Sequence, residues 1–193
     1  MIKDLLRHGR EFLRYLANHE YEMNDSGIMF PRAGATVGGV YSDDRGGVFN
    51  NLITTEGLNH MLAVTTNGAS QTPTWYMALY TGAYTPTLGL TAATFAVAAN
   101  ENTSATEGYT QANRVAWNES APSGGVVANT ASPAVFNFAT ASSVSIQGAA
   151  LLSSATRGGT AGVILSATRF AAPRVFYNAD VYNLTYELTL TST

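Results

Sequence analysis

Side chains able to do acid, base or metal chemistry are few in this chain, and their spacing assembles no recognised site. Histidine occurs three times, at His8, His19 and His60. On one helix, His8 and His19 would share a face yet lie about 16 Å apart along the axis, too far to hold one metal ion. There is no cysteine, which excludes disulfides and thiolate metal sites. Beyond residue 50 the carboxylates are Glu56, Glu101, Glu107, Glu119, Asp180 and Glu187. A glycosidase needs two of these facing each other across a cleft, and no spacing marks such a pair. Asp180 is expected in a turn, and Glu187 on the outer face of the last strand. The serines fall in no Gly-x-Ser-x-Gly elbow, and neither a Walker phosphate loop nor Gly-x-Gly-x-x-Gly occurs. Residues 38–47 read Gly-Gly-Val-Tyr-Ser-Asp-Asp-Arg-Gly-Gly. The paired acids lack the spacing of a calcium loop, so a solvated turn is expected. The reading is of a non-enzyme with no catalytic residue, cofactor or metal.

The remaining chemistry is that of surfaces. Lys3, Arg7, Arg10 and Arg14 follow one another at offsets of four, three and four, which aligns them on one stripe of a helix. Such a stripe could meet nucleic acid phosphates, but Asp4 and Glu11 interrupt it and the net charge is −3. Direct nucleic acid binding is therefore not expected, and an acidic protein partner fits as well. Ile28, Met29 and Phe30 form a short apolar patch suited to docking. The triplets at Asn102, Asn118 and Asn183 match the glycosylation pattern, but Met1–Leu16 is broken by charges throughout and does not read as a secretion signal. No stretch reaches the ~18 apolar residues of a membrane span.

Composition points the same way. Only 12% of the 193 residues are charged, with a single lysine against nine arginines and ten tyrosines. An average domain carries roughly 25%. A surface poor in ions is easy to desolvate when it meets a partner, and Tyr and Arg are enriched at protein interfaces whereas Lys is depleted.

The elements that position these groups fall into two regions. Residues 1–50 hold six of the ten basic residues and are expected to form an N-terminal amphipathic helix, roughly Ile2–His19, followed by an extended docking arm. The helix shows Ile2, Leu5, Leu6, Phe12, Leu13 and Leu16 on one face. Residues 24–47 contain Pro31 and six glycines and keep no period, as expected of a linker.

Residues 51–193 are expected to form the body. A short leading helix is capped by Thr54 or Thr55, shows Leu58, Met61 and Leu62 as its apolar face, and ends at Asn67-Gly68. Strands are expected at Trp75–Tyr80, Arg114–Trp117, Val126–Asn129, Ala134–Phe138, Val144–Leu152, Gly162–Phe170 and Arg174–Tyr177, with a helical turn over Thr91–Val97. In the last strand Tyr182, Leu184, Tyr186, Leu188 and Leu190 face one way. Short strands separated by Gly, Pro and Ser predict a mainly β fold, an antiparallel β-sandwich, preceded by the N-terminal helix and arm.

One order of motifs resembles a known family. Residues 74–87 read Thr-Trp-Tyr-Met-Ala-Leu-Tyr-Thr-Gly-Ala-Tyr-Thr-Pro-Thr, and Thr-Ala-Ala-Thr-Phe follows at 91–95. Then come Glu-Gly-Tyr at 107–109, Arg114–Trp117, Phe136–Phe138 and Ala-Thr-Arg-Phe at 167–170. Over residues 50–193 this is similar to a family of tailed-bacteriophage virion proteins, jelly-roll-like capsid decoration or cement proteins. The resemblance implies binding to the major capsid protein lattice, head stabilisation, a place on the phage head surface after synthesis in the host cytoplasm, and no active site. Self-association as a dimer or trimer would suit an icosahedral shell. Lys3, Arg7, Arg10, Arg14, Ile28, Met29 and Phe30 are the expected partner-binding residues. Other readings are a tail, baseplate or head-tail junction component, and a carbohydrate-binding jelly-roll module presenting Tyr76, Tyr80, Tyr84 and Tyr109.

Overall fold

The computed structural model describes residues 21–23, 26, 29–31 and 34–192. The expected first helix, with Lys3, Arg7, Arg10 and Arg14, lies outside the described residues, as does Ile28. The chain divides into two compact units, residues 1–36 with 190–193, and Val37–Thr189. In the first, β1 (Tyr21–Met23) pairs antiparallel with β2 (Met29–Pro31), setting Tyr21 opposite Pro31 and Met23 opposite Met29. Met29 and Phe30 are thus strand residues.

The second unit begins in β3 (Ala35–Asp43), which turns into β4 (Val48–Asn50) and β5 (Leu52–Ile53). These strands correct the expectation of an extended linker through residue 47. Gly38 and Gly39 read as breakers in the sequence, but a β-carbon at Gly39 would strike the Tyr186 phenol and come within 2.8 Å of the Glu187 carbonyl. That glycine is a close approach inside a sheet.

Helix α1 (Thr55–Thr66) follows, then β6 (Trp75–Tyr80), α2 (Ala92–Ala98), β7 (Gly108–Tyr109), β8 (Val115–Trp117), β9 (Val126–Ala128), β10 (Ala134–Ala139), β11 (Val144–Leu152), β12 (Ile164–Phe176) and β13 (Val181–Ser192). One sheet has the order β4-β3-β13-β10-β7, with β9 also on β13, and the other β5-β12-β11-β6-β8. The two antiparallel sheets pack together as a β-sandwich, as expected. In each sheet an early strand lies beside a late one, β3 beside β13 and β5 beside β12, the rolled-up connection of a jelly-roll-like fold.

The inner faces meet in an aromatic core around Tyr41, Phe136, Phe138, Phe176, Tyr182 and Tyr186. Phe138 and Phe176 stack at 4.0 Å. In β13, Tyr182, Leu184 and Tyr186 point inward as the alternation predicts, whereas Leu190 is exposed. β6 is buried on both faces. Met77 and Leu79 join the main core, and Ala78 and Tyr80 meet Phe95 of α2 in a second cluster. Ala78, Ala150 and Ala167 make that outer face shallow enough for α2 to lie on it.

Two further expectations are corrected. The strands expected at 162–170 and 174–177 are one strand, β12. Its pairing with β11 shifts register between Ile146 and Gly148, so residues 170–173 fall in an irregularity where Pro173 removes no ladder hydrogen bond. Helix α1 does not pack through Leu58 and Leu62. Gly57 is the buried residue, and a β-carbon there would sit 2.5 Å from the Leu165 carbonyl oxygen. Contact through Gly57 and Met61 turns Leu58 and Leu62 outward.

Candidate functional site

Most of the scarce charges are engaged within the fold, and two of them, Glu101 and Arg114, are buried. Helix α2 ends in Asn100, whose φ of 54° is left-handed. Asn100 N–H donates to the Val97 carbonyl (3.4 Å) and Glu101 N–H to the Ala96 carbonyl (3.0 Å), the paired closing bonds of a Schellman end. This termination delivers Glu101 to the interior. There Arg114 meets it in a bidentate pair, Nε to Oε1 at 2.7 Å and Nη2 to Oε2 at 2.8 Å, with both side chains fully buried. Gly158 N–H also donates to Glu101 (2.9 Å), and Arg114 donates to the carbonyls of Ser154 (3.0 Å) and Gly159 (3.2 Å). Arg157 lies over the Tyr109 ring at 3.8 Å and donates to the carbonyls of Asn102, Ser104, Tyr109 and Gln111. Together the two arginines clasp residues 101–111 to 153–159. The Tyr109 hydroxyl beside them is buried without a partner, and burial pushes its pKa up.

A second clasp holds the first hairpin. The Asp43 carboxylate accepts from the N–H groups of Arg45 (3.1 Å) and Gly47 (2.6 Å), from Arg174 Nε (2.7 Å) and from the Tyr182 hydroxyl (3.2 Å). Burial pushes its pKa up, but these donors outweigh it and hold the carboxyl below its usual value. The solvated turn expected here is instead an anchored one, with the Asp43 side chain buried. Asp180 is a turn residue as expected, accepting from Tyr177 N–H (2.8 Å). Glu56 accepts from the N–H groups of Ala92 (2.9 Å) and Ile164 (2.8 Å). Glu107 binds Thr140 Oγ1 (2.6 Å) and Ala141 N–H (3.0 Å), donors that lower its pKa.

Every arginine of the second unit therefore has an intramolecular partner, Arg45 with Asp180 and Arg169 with Thr85 included. Among the described residues of Val37–Thr189 only the carboxylates of Glu119 and Glu187 have none. No three His, Asp or Glu side chains among the described residues come together to hold a metal. No helix among them is long and apolar enough to cross a membrane. The tyrosines singled out as sugar platforms do not share a face. Tyr80 and Tyr109 are core residues, and only Tyr76 and Tyr84 reach partly to the surface.

One long stretch of the chain carries no charge at all. From Gly57 to Asn100 the chain contains no Asp, Glu, Lys or Arg. This stretch exposes Leu58 (37%), Leu62 (59%), Leu88 (57%) and Val97 (86%). Thr55 N–H bonds the Leu88 carbonyl at 3.0 Å, which brings the Leu88 loop against the start of α1. Sequence reasoning missed this surface because it grouped Leu58 and Leu62 with Met61 on a single apolar face of the helix. The run without charge was the readable signal. Compared with known proteins, the chain matches no family model and no curated sequence.

Proposed function

We propose that this protein is a structural adhesion component of a tailed-phage particle, a head decoration or cement protein seated on the major capsid lattice. One observation carries the reading: the outer face of α1 and the neighbouring 85–97 region expose four large apolar side chains, on a stretch of chain, Gly57–Asn100, that has no charged residue of its own. Docking such a face removes apolar area from water, worth roughly 25 cal/mol per Å², and the flanking ions Glu56 and Arg169 already hold intramolecular partners. The arginines and most carboxylates of the second unit already serve its own clasps, which fits a rigid body that contributes shape rather than chemistry. The motif order that resembles phage decoration proteins points to the same reading, and its residues Arg114, Phe136, Phe138 and Phe170 serve the clasp and the core. Many identical contacts on one shell sum through multivalency. In that arrangement the stripe Lys3–Arg14 and the patch at Ile28–Phe30 act as further anchors, and copies of the chain self-associate as dimers or trimers.

The test is the copy number in purified particles, by quantitative mass spectrometry against the major capsid protein. A one-to-one ratio, or a simple fraction of it, supports decoration. A handful of copies moves the protein to the tail or head-tail junction, and absence from particles overturns the reading. Leu62→Glu, which changes only an exposed side chain, should lower occupancy on the shell while the protein stays folded.

A further inference from the structure

A cleft of about 390 Å³ opens between α1, β6, β8 and the loop leading into β9. Its size falls within the roughly 300–1,000 Å³ of small-molecule sites. Trp75 and the nearly buried Trp117 line it, with Gln71, Thr72, Glu119 and Ser120 at the polar side. The Trp75 indole is held in place. His60 packs edge-on against it at 5.6 Å and 77°, and the His60 ring is fixed by a 3.0 Å bond to Thr72 Oγ1. Trp117 Nε1 donates to the Tyr186 carbonyl (3.2 Å), so that indole contributes ring surface only.

The polar groups here contrast with the rest of the unit. The Trp75 indole N–H, the Gln71 amide and the Glu119 carboxylate have no intramolecular partner. A partly exposed aromatic face therefore stands beside free donors and free acceptors. A purely apolar ligand would leave those groups unpaired. A cationic ligand could meet the Trp75 face and the Glu119 carboxylate but, as a donor only, would leave the Trp75 and Gln71 N–H groups without an acceptor. A pyranose ring fits both halves, with an apolar C–H face for the indole and hydroxyls that donate and accept.

We propose that this cleft is a saccharide-binding site, with Trp75 as the stacking platform and Gln71 and Glu119 as hydroxyl partners. It is independent of the capsid-binding face on α1 and takes a neutral sugar unit. The tryptophan platform replaces the tyrosines that the sequence offered for the same chemistry.

The test uses the full chain and three probes, cellobiose, lactose and N,N′-diacetylchitobiose, read by tryptophan fluorescence and titration calorimetry. At least one should bind saturably with a millimolar-range Kd. Trp75→Ala should weaken it about tenfold, and Trp75→Phe less. Gln71→Ala and Glu119→Gln alter exposed side chains, keep the fold, and should each weaken binding. Should Trp75→Ala fail to fold, those two variants decide the matter. The proposal is overturned if none of the probes binds up to about 10 mM, or if binding survives unchanged in the folded variants. Copy number on particles is unaffected by either result.

Discussion

Replacing Arg114 by Met tests the claim that buried charge serves the fold. The substitution keeps an unbranched side chain of similar reach and removes the guanidinium. Glu101 is then left fully buried with the Gly158 N–H as its remaining donor, and the carbonyls of Ser154 and Gly159 lose their charged donor. Breaking a buried pair from one side costs about 3–5 kcal/mol, against a total stability of about 5–15 kcal/mol. With a urea m-value of about 1–3 kcal/mol/M, the midpoint should fall by about 1 M or more at unchanged m. Glu101→Gln alone should also destabilise, because it removes the charge that Arg114 is buried against. The double variant should cost clearly less than the two singles added, since neither charge is then stranded. Equilibrium urea unfolding of the four proteins measures the cycle. A loss below about 1 kcal/mol for Arg114→Met, or strict additivity, would refute the account.

Four further outcomes follow from the same geometry. Gly57→Ala, favourable in most helices by about 1 kcal/mol, should here destabilise by about 1–3 kcal/mol because the new carbon meets the Leu165 backbone; calorimetric Tm gives the sign. Ala179 holds a φ of 67° in the β12–β13 turn, so Ala179→Gly should stabilise by about 1 kcal/mol in urea unfolding. Tyr109→Phe should be neutral or stabilising by about 1 kcal/mol, because it deletes a buried hydroxyl that has no partner. The Asp43 carboxyl is held below its unfolded pKa, so its stabilisation is present above about pH 4 and is lost as pH falls through the depressed value. Asp43→Asn should therefore lower Tm at pH 7 and flatten its decline below about pH 4; an unchanged slope would contradict the assignment.

Local chemistry settled much of the architecture before any tertiary contact was known. The period-two alternation of Tyr182, Leu184 and Tyr186 identified the last strand and its inward face, and Thr54 and Asn67-Gly68 marked the ends of α1, because strand faces and helix caps depend on residues a few positions apart. The absence of cysteine and the low charge were equally plain, as composition needs no fold. Glycine was ambiguous. Gly39 signals a break by propensity, and only the Tyr186 phenol arriving from the far end of the chain makes it a strand residue. Gly57 likewise decides which side of α1 is buried, because the helix must approach the β12 backbone.

The fates of the charges were beyond the sequence. Glu101 and Arg114 are thirteen positions apart with no pattern between them, and their pairing awaits the turn at Asn100 and the clasped loop at 153–159. The platform at Trp75 was equally hidden, since the strand pattern placed it at the start of β6 but could not say that α1 and the loop after β8 would leave its ring beside unpaired polar groups. Periodicity reports what a residue's neighbours in sequence require, whereas burial and pairing depend on which distant segments arrive. In this chain the sequence by itself determined a β-sandwich of low charge, and the tertiary structure alone decided which polar groups are consumed in holding it together and which remain free to meet a partner.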